Sequence, residues 1–325
     1  MTYNFCTLFN KRYLLYGLGL YRSLSLLNID FHLYIFAFDD YTTELLKKLN
    51  LPCLTVITLK EFEDEKLLSV KSGRTIAEYC WTSSSSTILY CLQNFKLNSC
   101  TYVDADMFFF SSPAVLIDEM GDKSISLSEH RYTKDKVNDT IIRGKYCVQF
   151  MTFKNTIDGM RALTWWRERC LEWCFNRIED SKFGDQKYLD DWTERFAGVH
   201  VLKHLGAGLA SWNINDYELF KEDEKLRGRQ KLTGETFDVI FYHYHNAVLF
   251  NVLGQVRIKG GTDKKDVLSL AYDPYARELS NMLKLIHTFD PSFNDGFGEK
   301  GDYWKRVISS HTPSFIKDLV RALKS

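Results

Sequence analysis

The first hundred residues alternate between short apolar runs and segments of helical periodicity. The runs are rich in β-branched and aromatic residues, and their order with the helical segments is β-α-β-α-β-α-β. Strands joined through helices run parallel, so the pattern predicts an α/β fold with a mixed, mostly parallel sheet flanked by helices on both faces. The predicted strands are 3–9, 31–38, 54–59 and 100–103, and the predicted helices are 13–27, 42–49 and 75–95.

The second half of the chain changes character near residue 250, beyond which it becomes more polar and more helical. This change predicts a main domain over 1–250 and a mainly helical C-terminal extension over 251–325 that packs on it. Further strands are expected at 124–130, 146–153, 199–204 and 239–245, and a helix at 156–178.

Charge and cysteine usage exclude several classes of protein. The 325 residues include 42 Lys+Arg and 42 Asp+Glu, so the chain lacks the basic excess of a nucleic-acid-binding protein. Its eight cysteines lack C-x-x-C spacing, which predicts buried, reduced thiols rather than disulfides or a zinc site. No secretory signal pattern opens the chain, and no apolar run approaches the roughly 18 residues of a membrane span. We therefore expect a cytoplasmic protein.

Two aspartates, Asp104 and Asp106, lie just past the carboxyl end of the fourth predicted strand. Residues i and i+2 of an extended chain point to the same side, so both carboxylates can face one point. In a parallel sheet that point is where ligands bind. Two oxygen donors suit Mg²⁺ or Mn²⁺, which in turn bind phosphate oxygens. A D-x-D pattern also arises by chance or as solvated and helix-capping residues, so the other motifs must decide.

Two further segments offer functional side chains. FYHYHN places His243 and His245 on one side of a predicted strand, where an imidazole beside carboxylates favours Mn²⁺, although such histidines are also common in cores and on surfaces. FGDQKYLDDW places Asp185 and Gln186 after Gly184, at the start of a helical pattern. These two residues can bind sugar hydroxyls or stabilise positive charge, and they can equally cap a helix.

Several well-known motifs are absent from the sequence or lie in the wrong context. GFGEKG (296–301) matches G-x-G-x-x-G but follows no strand, so it predicts a flexible turn. GLG (17–19) lies inside a predicted helix. The sequence has no Walker loop, G-x-S-x-G elbow or H-E-x-x-H pattern, so the chemistries that depend on them lose support.

Four segments together resemble the A-type glycosyltransferases. YVDADMFFFSSP is similar to their metal-binding D-x-D segment, and TLFNKRYLLYGLGLYRSL looks like their first nucleotide-binding loop and helix. GDQKYLDDW resembles the D-Q-x-x-L element of retaining galactosyl- and glucosyltransferases related to glycogenin, and YHYHNA resembles their late H-x-x-G metal motif. The order matches that fold over about residues 3–250, and the nearest likeness is to bacterial nucleotide-diphospho-sugar transferases.

The resemblance implies that the 1–250 domain binds a nucleotide-diphospho-sugar donor. Asp104 and Asp106 would hold a divalent cation, Mn²⁺ or Mg²⁺, with His243 as the third ligand and His245 in reserve. Thr7 and Tyr13 would flank the base in the first loop, Arg74 is a candidate for binding a phosphate, and Ala105 would be a further donor contact.

It also implies the roles of the residues around the sugar. Asp185 and Gln186 would lie near the anomeric carbon, and the acceptor face would be formed by Glu129, His130 and Gln149. The predicted activity is metal-dependent transfer of a hexose, from a UDP-sugar, to a glycan or lipid-linked acceptor in bacterial-type surface polysaccharide synthesis. The alternatives are a sugar nucleotidyltransferase or nucleotide-sugar hydrolase, and a non-catalytic sugar-binding protein.

The chain departs from the family pattern at two points. Cys147-Val148-Gln149 replaces N-x-G, so the recognition of sugar hydroxyls there must differ. Asn246 replaces the glycine of the late motif, so the cation that assists the metal at the leaving phosphate is left open. The final segment, 314–325, has apolar residues at helical spacing among basic ones. It predicts either a docked terminal helix or a basic amphipathic helix on an anionic membrane, and hence at most peripheral membrane contact.

Overall fold

The computed structural model describes residues 2–299. The strands are β1 Tyr3–Phe9, β2 Phe31–Ala37, β3 Leu54–Thr58, β4 Ser99–Val103, β5 Met107–Phe109, β6 Ile125–Glu129, β7 Tyr146–Cys147, β8 Phe150–Lys154, β9 Val199–Val201, β10 Leu209–Ala210, β11 Tyr217–Glu222, β12 Lys225–Gln230, β13 Thr236–Asp238, β14 Phe241–His243, β15 Val248–Val252 and β16 Gln255–Lys259. The helices are α1 Leu14–Ser25, α2 Asp40–Leu49, α3 Leu59–Phe62, α4 Glu65–Lys71, α5 Ile76–Asn94, α6 Ala114–Glu119, α7 Val137–Arg143, α8 Ile157–Glu172, α9 Trp192–Arg195, α10 Lys265–Val267 and α11 Asp273–His287.

The central sheet has the strand order β3-β2-β1-β4-β8-β6-β7, with β9 also paired to β6. Strands β1 to β4 run parallel to their neighbours, whereas β8 lies antiparallel to β4. The chain builds outward from β1 to β3 and then returns to place β4 on the other side of β1. This reversal creates a crevice between the carboxyl ends of β1 and β4, where α/β sheets of this kind bind ligands. The predicted α/β class is confirmed.

Apolar side chains fill a core on each face of the sheet. Along β1, Phe5 and Phe9 pack into the core that also contains α1 and α11, whereas Cys6 and Leu8 pack into the core beneath α5 and α8. This alternation follows from the two-residue period of a strand. In α1, a methyl group at Gly17 would lie 2.2 Å from the ring of Phe9, so this glycine permits close approach of the helix to β1.

Some boundaries differ from the sequence predictions. The strand predicted at 146–153 is divided into β7 and β8, and the helix predicted at 156–178 ends at Glu172. The chain after Ala247 begins with the β15–β16 hairpin rather than with a helix, and along β16 buried residues alternate with more exposed ones. The boundary near residue 250 therefore falls within a hairpin.

Two predictions concern membranes and the chain's final segment. Among residues 2–299, no helix combines the length and apolar character required to cross a membrane. The helix predicted at 314–325 lies outside the described residues.

Candidate active site

A cavity of about 790 Å³ lies at the carboxyl ends of β1, β2 and β3. Its size falls within the range of about 300–1,000 Å³ that is typical of ligand pockets. Its lining combines apolar side chains with charged and amide groups: Asn10, Lys11, Arg12, Phe38, Asp39, Leu59, Lys71, Arg74, Thr75, Ile76, Tyr79, Asn294, Asp295, Gly296 and Phe297. The apolar surface suits a ring system and the polar groups can orient it.

The loop after β1 is held against the start of α2. Asp39 accepts hydrogen bonds from the backbone N–H groups of Lys11 and Thr42, each over 2.7 Å. One carboxylate therefore caps α2 and fixes the loop that lines the cavity. Asp39 follows the end of β2 by two residues, and its bond to the backbone N–H of Lys11 is what gives the loop its position.

Four basic residues border the cavity, and they differ in their interaction partners. Lys71 pairs with Glu63 at 2.6 Å, and Lys11 pairs with Asp295 at 3.3 Å. The guanidinium of Arg74 stacks 3.8 Å from the ring centre of Phe175 and donates to the carbonyl of Leu171 over 3.2 Å.

The fourth basic residue is Arg12. Its exposed guanidinium has no ion-pair or hydrogen-bond partner within the described range 2–299. Arg12 is therefore the basic side chain at this cavity that is left available for an anionic ligand.

Asp104, Asp106 and His243 converge beside this loop; we call them the Asp-Asp-His cluster. One potential ligand atom from each lies within 4.8 Å of the others. The aspartates follow β4, and His243 ends β14, which pairs with β5 so that His243 lies opposite Met107. His243 Nε2 lies 3.1 Å from Asp106 Oδ1 and 3.8 Å from Asp104 Oδ2.

The far side of the His243 ring is held by Gln149. His243 Nδ1 lies 2.7 Å from Gln149 Oε1, and because a carbonyl oxygen only accepts, Nδ1 carries the proton of this bond. In the neutral ring, Nε2 then has a free lone pair that faces the two carboxylates. This is the arrangement in which histidine binds metals, with the other ring nitrogen oriented by a hydrogen bond.

The cluster is electrostatically coupled. Burial and the Asp106 charge raise the pKa of Asp104 to about 6. Burial also acts to raise the pKa of Asp106, but the charge and hydrogen bond of His243 outweigh it and lower that pKa. For His243, the two aspartates outweigh burial and raise the pKa well above its ordinary value. Two carboxylates facing one imidazole leave excess negative charge, which a divalent cation would neutralise.

His245, the reserve ligand, is not among the residues whose ligand atoms converge, although its ring centre lies 5.8 Å from that of His243. The indole of Trp212 contacts both imidazoles, with ring centres 5.3 Å from His243 and 5.5 Å from His245. Burial and the charge of His243 lower the pKa of His245 to about 4, so its ring stays neutral. The three residues that the structure brings together are therefore Asp104, Asp106 and His243.

Asp185 lies on the inner side of the site beneath α5. Its Oδ2 accepts a hydrogen bond from Ser84 Oγ over 3.1 Å, and its carbonyl accepts one from Trp166 Nε1 over 2.9 Å. Burial and the charge of Asp104 raise its pKa to about 7. Gln186 is half-buried, and its Nε2 donates to the carbonyl of Arg143 over 2.8 Å, which leaves its own carbonyl oxygen available.

Glu129 and His130 lie at the end of β6. Glu129 pairs with Lys145 at 3.1 Å and remains partly exposed. His130 is 3% exposed, its ring stacks on Tyr132 at 4.7 Å, and burial lowers its pKa to about 3. A buried, neutral imidazole offers little to an acceptor, so Glu129 is the more accessible of the two.

Three predicted contacts have different surroundings from those expected. Thr7 is 0% exposed inside β1, so it cannot flank a base in the loop that follows. Gln149 is 0% exposed and is engaged by His243, so it is not part of an open acceptor face. Ala105 is buried between the two aspartates.

Tyr13 connects the cavity and the cluster. Its ring lies 5.0 Å from that of Tyr16, and burial together with the charge of Asp106 raises its pKa to about 12. The loop 10–13 therefore extends from the cavity to the Asp-Asp-His cluster. Sequence reasoning missed Asn10 and Asp39, although each directly follows a predicted strand, and it missed Arg12, which lies three positions past one. It also missed Phe297, because GFGEKG was interpreted as a turn.

The comparisons with known proteins agree with this architecture. No family model matches the sequence. The uncharacterized protein YfnD of Bacillus subtilis (strain 168) is 31% identical over 304 residues, which cover 91% of this chain and 94% of YfnD. An active-site mutant of LgtC aligns with a TM-score of 0.50 at 12% identity, over 87% of this chain and 96% of LgtC. The bifunctional glycosyltransferase WbbM aligns with a TM-score of 0.52 at 10% identity, over 88% of this chain and 51% of WbbM. The chain belongs to the family of YfnD, and its fold is that of the A-type glycosyltransferases.

Proposed function

We propose that this protein is a metal-dependent glycosyltransferase that moves a hexose from a nucleotide-diphospho-sugar, a UDP-sugar, to a glycan or lipid-linked acceptor. One observation carries the proposal. The Asp-Asp-His cluster lies at the switch point of the sheet, beside the loop 10–13, and that loop lines the 790 Å³ cavity. The cavity offers apolar and basic walls, and the cluster offers ligands for the cation that such donors bring with them.

The donor set of the cluster fits a divalent cation. Two carboxylates and an imidazole, which would bind the cation through Nε2 in its neutral form while Gln149 holds Nδ1, suit Mn²⁺ and also accept Mg²⁺. When bound, such a cation would supply positive charge to the diphosphate leaving group.

The remaining residues would act around that leaving group. The loop 10–13 would hold the diphosphate, with the Arg12 guanidinium donating to its oxygens. Asp185 lies near enough to Asp104 for the two charges to interact, and its ionised carboxylate would stabilise positive charge that develops at the anomeric carbon. The free carbonyl oxygen of Gln186 would accept a hydrogen bond from a sugar hydroxyl.

The proteins that this chain resembles support the proposed class of enzyme. LgtC is a galactosyltransferase and WbbM a bifunctional glycosyltransferase, and YfnD is bacterial. We extend the proposal to bacterial-type surface polysaccharide synthesis, with the protein in the cytoplasm and at most in peripheral contact with the membrane.

The proposal is tested by thermal unfolding in the presence of UDP-glucose, UDP-galactose and other nucleotide sugars, with Mn²⁺ or with EDTA. A ligand that binds the folded state raises its melting temperature, so a donor should stabilise the protein only when Mn²⁺ is present. Asp106→Asn should abolish this effect, whereas Asp122→Asn, at an exposed aspartate away from the site, should retain it. Full stabilisation and activity in excess EDTA would refute metal dependence.

Product analysis separates transfer from the alternatives. A transferase joins the sugar to an acceptor and releases a nucleoside diphosphate, whereas a hydrolase releases free sugar and a nucleotidyltransferase consumes a nucleoside triphosphate. A non-catalytic binding protein would bind sugar without metal and produce none of these products.

A further inference from the structure

The segment 290–298, which follows α11, returns to the loop after β1; we call it the strap. Its first part is anchored near α2, because Tyr41 donates a hydrogen bond to Asp290 over 2.6 Å. Phe293 is 3% exposed and stacks on Tyr41 with ring centres 6.0 Å apart. His287 Nε2 lies 3.0 Å from the carbonyl of Phe293. These contacts hold a segment for which the sequence predicted only a flexible turn.

The second part of the strap packs against β15 and the cavity loop. Gly298 donates from its backbone N–H to the carbonyl of Leu249 over 2.8 Å. Gly296 has a positive φ of 81°, and a methyl group there would lie 2.2 Å from the carbonyl oxygen of Arg12. Backbone atoms cannot move aside as a flexible side chain can, so this position requires glycine. Gly296 therefore allows the strap to lie directly on the loop 10–13.

The strap supplies one side of the cavity. Asn294, Asp295, Gly296 and Phe297 line it, and the half-buried ring of Phe297 adds to the apolar surface formed elsewhere by Phe38, Leu59, Ile76 and Tyr79. The Lys11–Asp295 ion pair, at 3.3 Å, joins the strap to the loop across the cavity's edge.

The two ends of the cavity differ in chemistry. The loop 10–13 leads toward Asp106, whose charge acts on Tyr13, and Arg12 on this loop has no ion-pair partner among residues 2–299. A diphosphate would therefore extend along the loop toward the cluster. The aromatic and aliphatic lining that remains suits a flat, partly apolar ring with polar edges, which describes a nucleobase.

We propose that the strap forms the outer wall of the nucleoside subsite and that Phe297 contacts the base of the donor nucleotide. The inference rests on the proposed function, since it requires a nucleoside diphosphate in this cavity. It assigns a ligand-binding role to Phe297, which lies 191 positions beyond Asp106 of the D-x-D motif. The metal ligands are not part of this subsite.

Calorimetric titration of UDP in the presence of Mn²⁺ tests the inference. Phe297→Ala should raise the Kd for UDP by about fivefold or more, because stacking of a nucleobase on an aromatic ring contributes a factor of about 5 to 150. Phe297→Leu keeps an apolar side chain but loses the aromatic face, so it should weaken UDP binding by a smaller factor. The matched control is Phe289→Ala, because Phe289 is 48% exposed on the same C-terminal segment and does not line the cavity.

Two further measurements make the outcome specific. Mn²⁺ titrated alone should bind wild type and Phe297→Ala equally, and thermal unfolding should show that the variants are folded. If Phe297→Ala unfolds, Phe297→Leu and uridine, which lacks phosphates, provide the same comparison, and uridine affinity should fall by the same factor as UDP affinity.

The results that overturn the inference are distinct from those that overturn the proposed function. Equal UDP affinity in wild type and a folded Phe297→Ala or Phe297→Leu variant removes the strap from the subsite while leaving donor binding intact. If wild type binds none of UDP, GDP and ADP with Mn²⁺, the proposed function fails and the inference fails with it. If wild type prefers GDP or ADP, that nucleotide replaces UDP in every comparison.

Discussion

Gln149 orients His243 through a hydrogen bond of 2.7 Å between the side-chain carbonyl of Gln149 and Nδ1 of the imidazole. Gln149 belongs to the short break between β7 and β8, and its backbone carbonyl accepts from the N–H of Asp104 over 3.1 Å. One residue therefore contacts both the imidazole and the aspartate loop of the same cluster.

Removal of this contact should weaken metal binding. Gln149→Leu leaves the imidazole without its acceptor, so the ring can rotate and change tautomer, and the Mn²⁺ affinity should fall by about 10–100-fold. Electron paramagnetic resonance of free Mn²⁺ measures this affinity directly. Gln230→Leu, on β12 away from the cluster, is the control. An unchanged Mn²⁺ affinity in folded Gln149→Leu would show that the hydrogen bond does not orient a ligand.

The two histidines should differ as metal ligands. His243→Ala removes the imidazole whose Nε2 faces Asp106 at 3.1 Å, whereas His245→Ala removes a ring outside the cluster. We therefore expect His243→Ala to lose Mn²⁺ affinity by more than the roughly 10–100-fold of an orienting residue, and His245→Ala to lose little. Mn²⁺ titration of both variants decides between them. Equal losses would mean that the cluster in solution differs from the arrangement described.

Two arginines at the cavity should also differ. Arg12→Ala should weaken UDP binding about tenfold, because a charge-assisted bond to phosphate is lost, and should leave the melting temperature unchanged. Arg74 was predicted to bind a phosphate, but its guanidinium is held by Phe175 and the carbonyl of Leu171. Arg74→Ala should therefore mainly lower the melting temperature.

Calorimetry and thermal unfolding of both arginine variants measure these effects. Arg12→Lys, which retains the charge, should recover part of the affinity. The Arg12 contribution should also decrease with added salt, because this residue is exposed. Full UDP affinity in Arg12→Ala would instead show that other cationic groups bind the diphosphate.

Local periodicity was sufficient to predict the first half of the sheet. Strands β1 to β4 and the helices between them repeat at intervals that the sequence displays, and the position of Asp104 and Asp106 follows from the end of β4. The placement of Thr7 was also readable from the sequence, because the predicted strand 3–9 already contained it. Its assignment to the loop came from the family resemblance and was wrong.

The contacts that assemble the site were not predictable in this way. Gln149 and His243 are 94 residues apart, and Gly296 meets Arg12 across most of the chain. Such pairs depend on how helices and strands pack in three dimensions, and one sequence carries no periodic signal of them. The strap shows the consequence. In the sequence alone Gly296 indicated a turn, whereas in the structure it allows the strap to approach the loop 10–13 closely.

Asp185 should make stability depend on pH. Burial and the charge of Asp104 raise its pKa from an ordinary value near 3.8 to about 7, so between these pH values the folded state binds a proton that the unfolded state releases. The free energy of unfolding therefore decreases as pH rises through this range, by about 1.4 kcal/mol for each pKa unit of the shift. Asp185→Asn cannot ionise and should lose this contribution.

Thermal unfolding in EDTA at pH 5 and pH 8 measures the effect, with EDTA present because a bound cation would favour the ionised carboxylate. At each pH the melting temperature of wild type is subtracted from that of Asp185→Asn. This difference should be larger at pH 8 than at pH 5. The same variant should have a lower kcat at pH 8, because the carboxylate that destabilises the fold is the one proposed to stabilise positive charge at the anomeric carbon. If the difference in melting temperature does not change with pH, ionisation of Asp185 does not destabilise the folded state. If kcat is unchanged, Asp185 takes no part in the reaction.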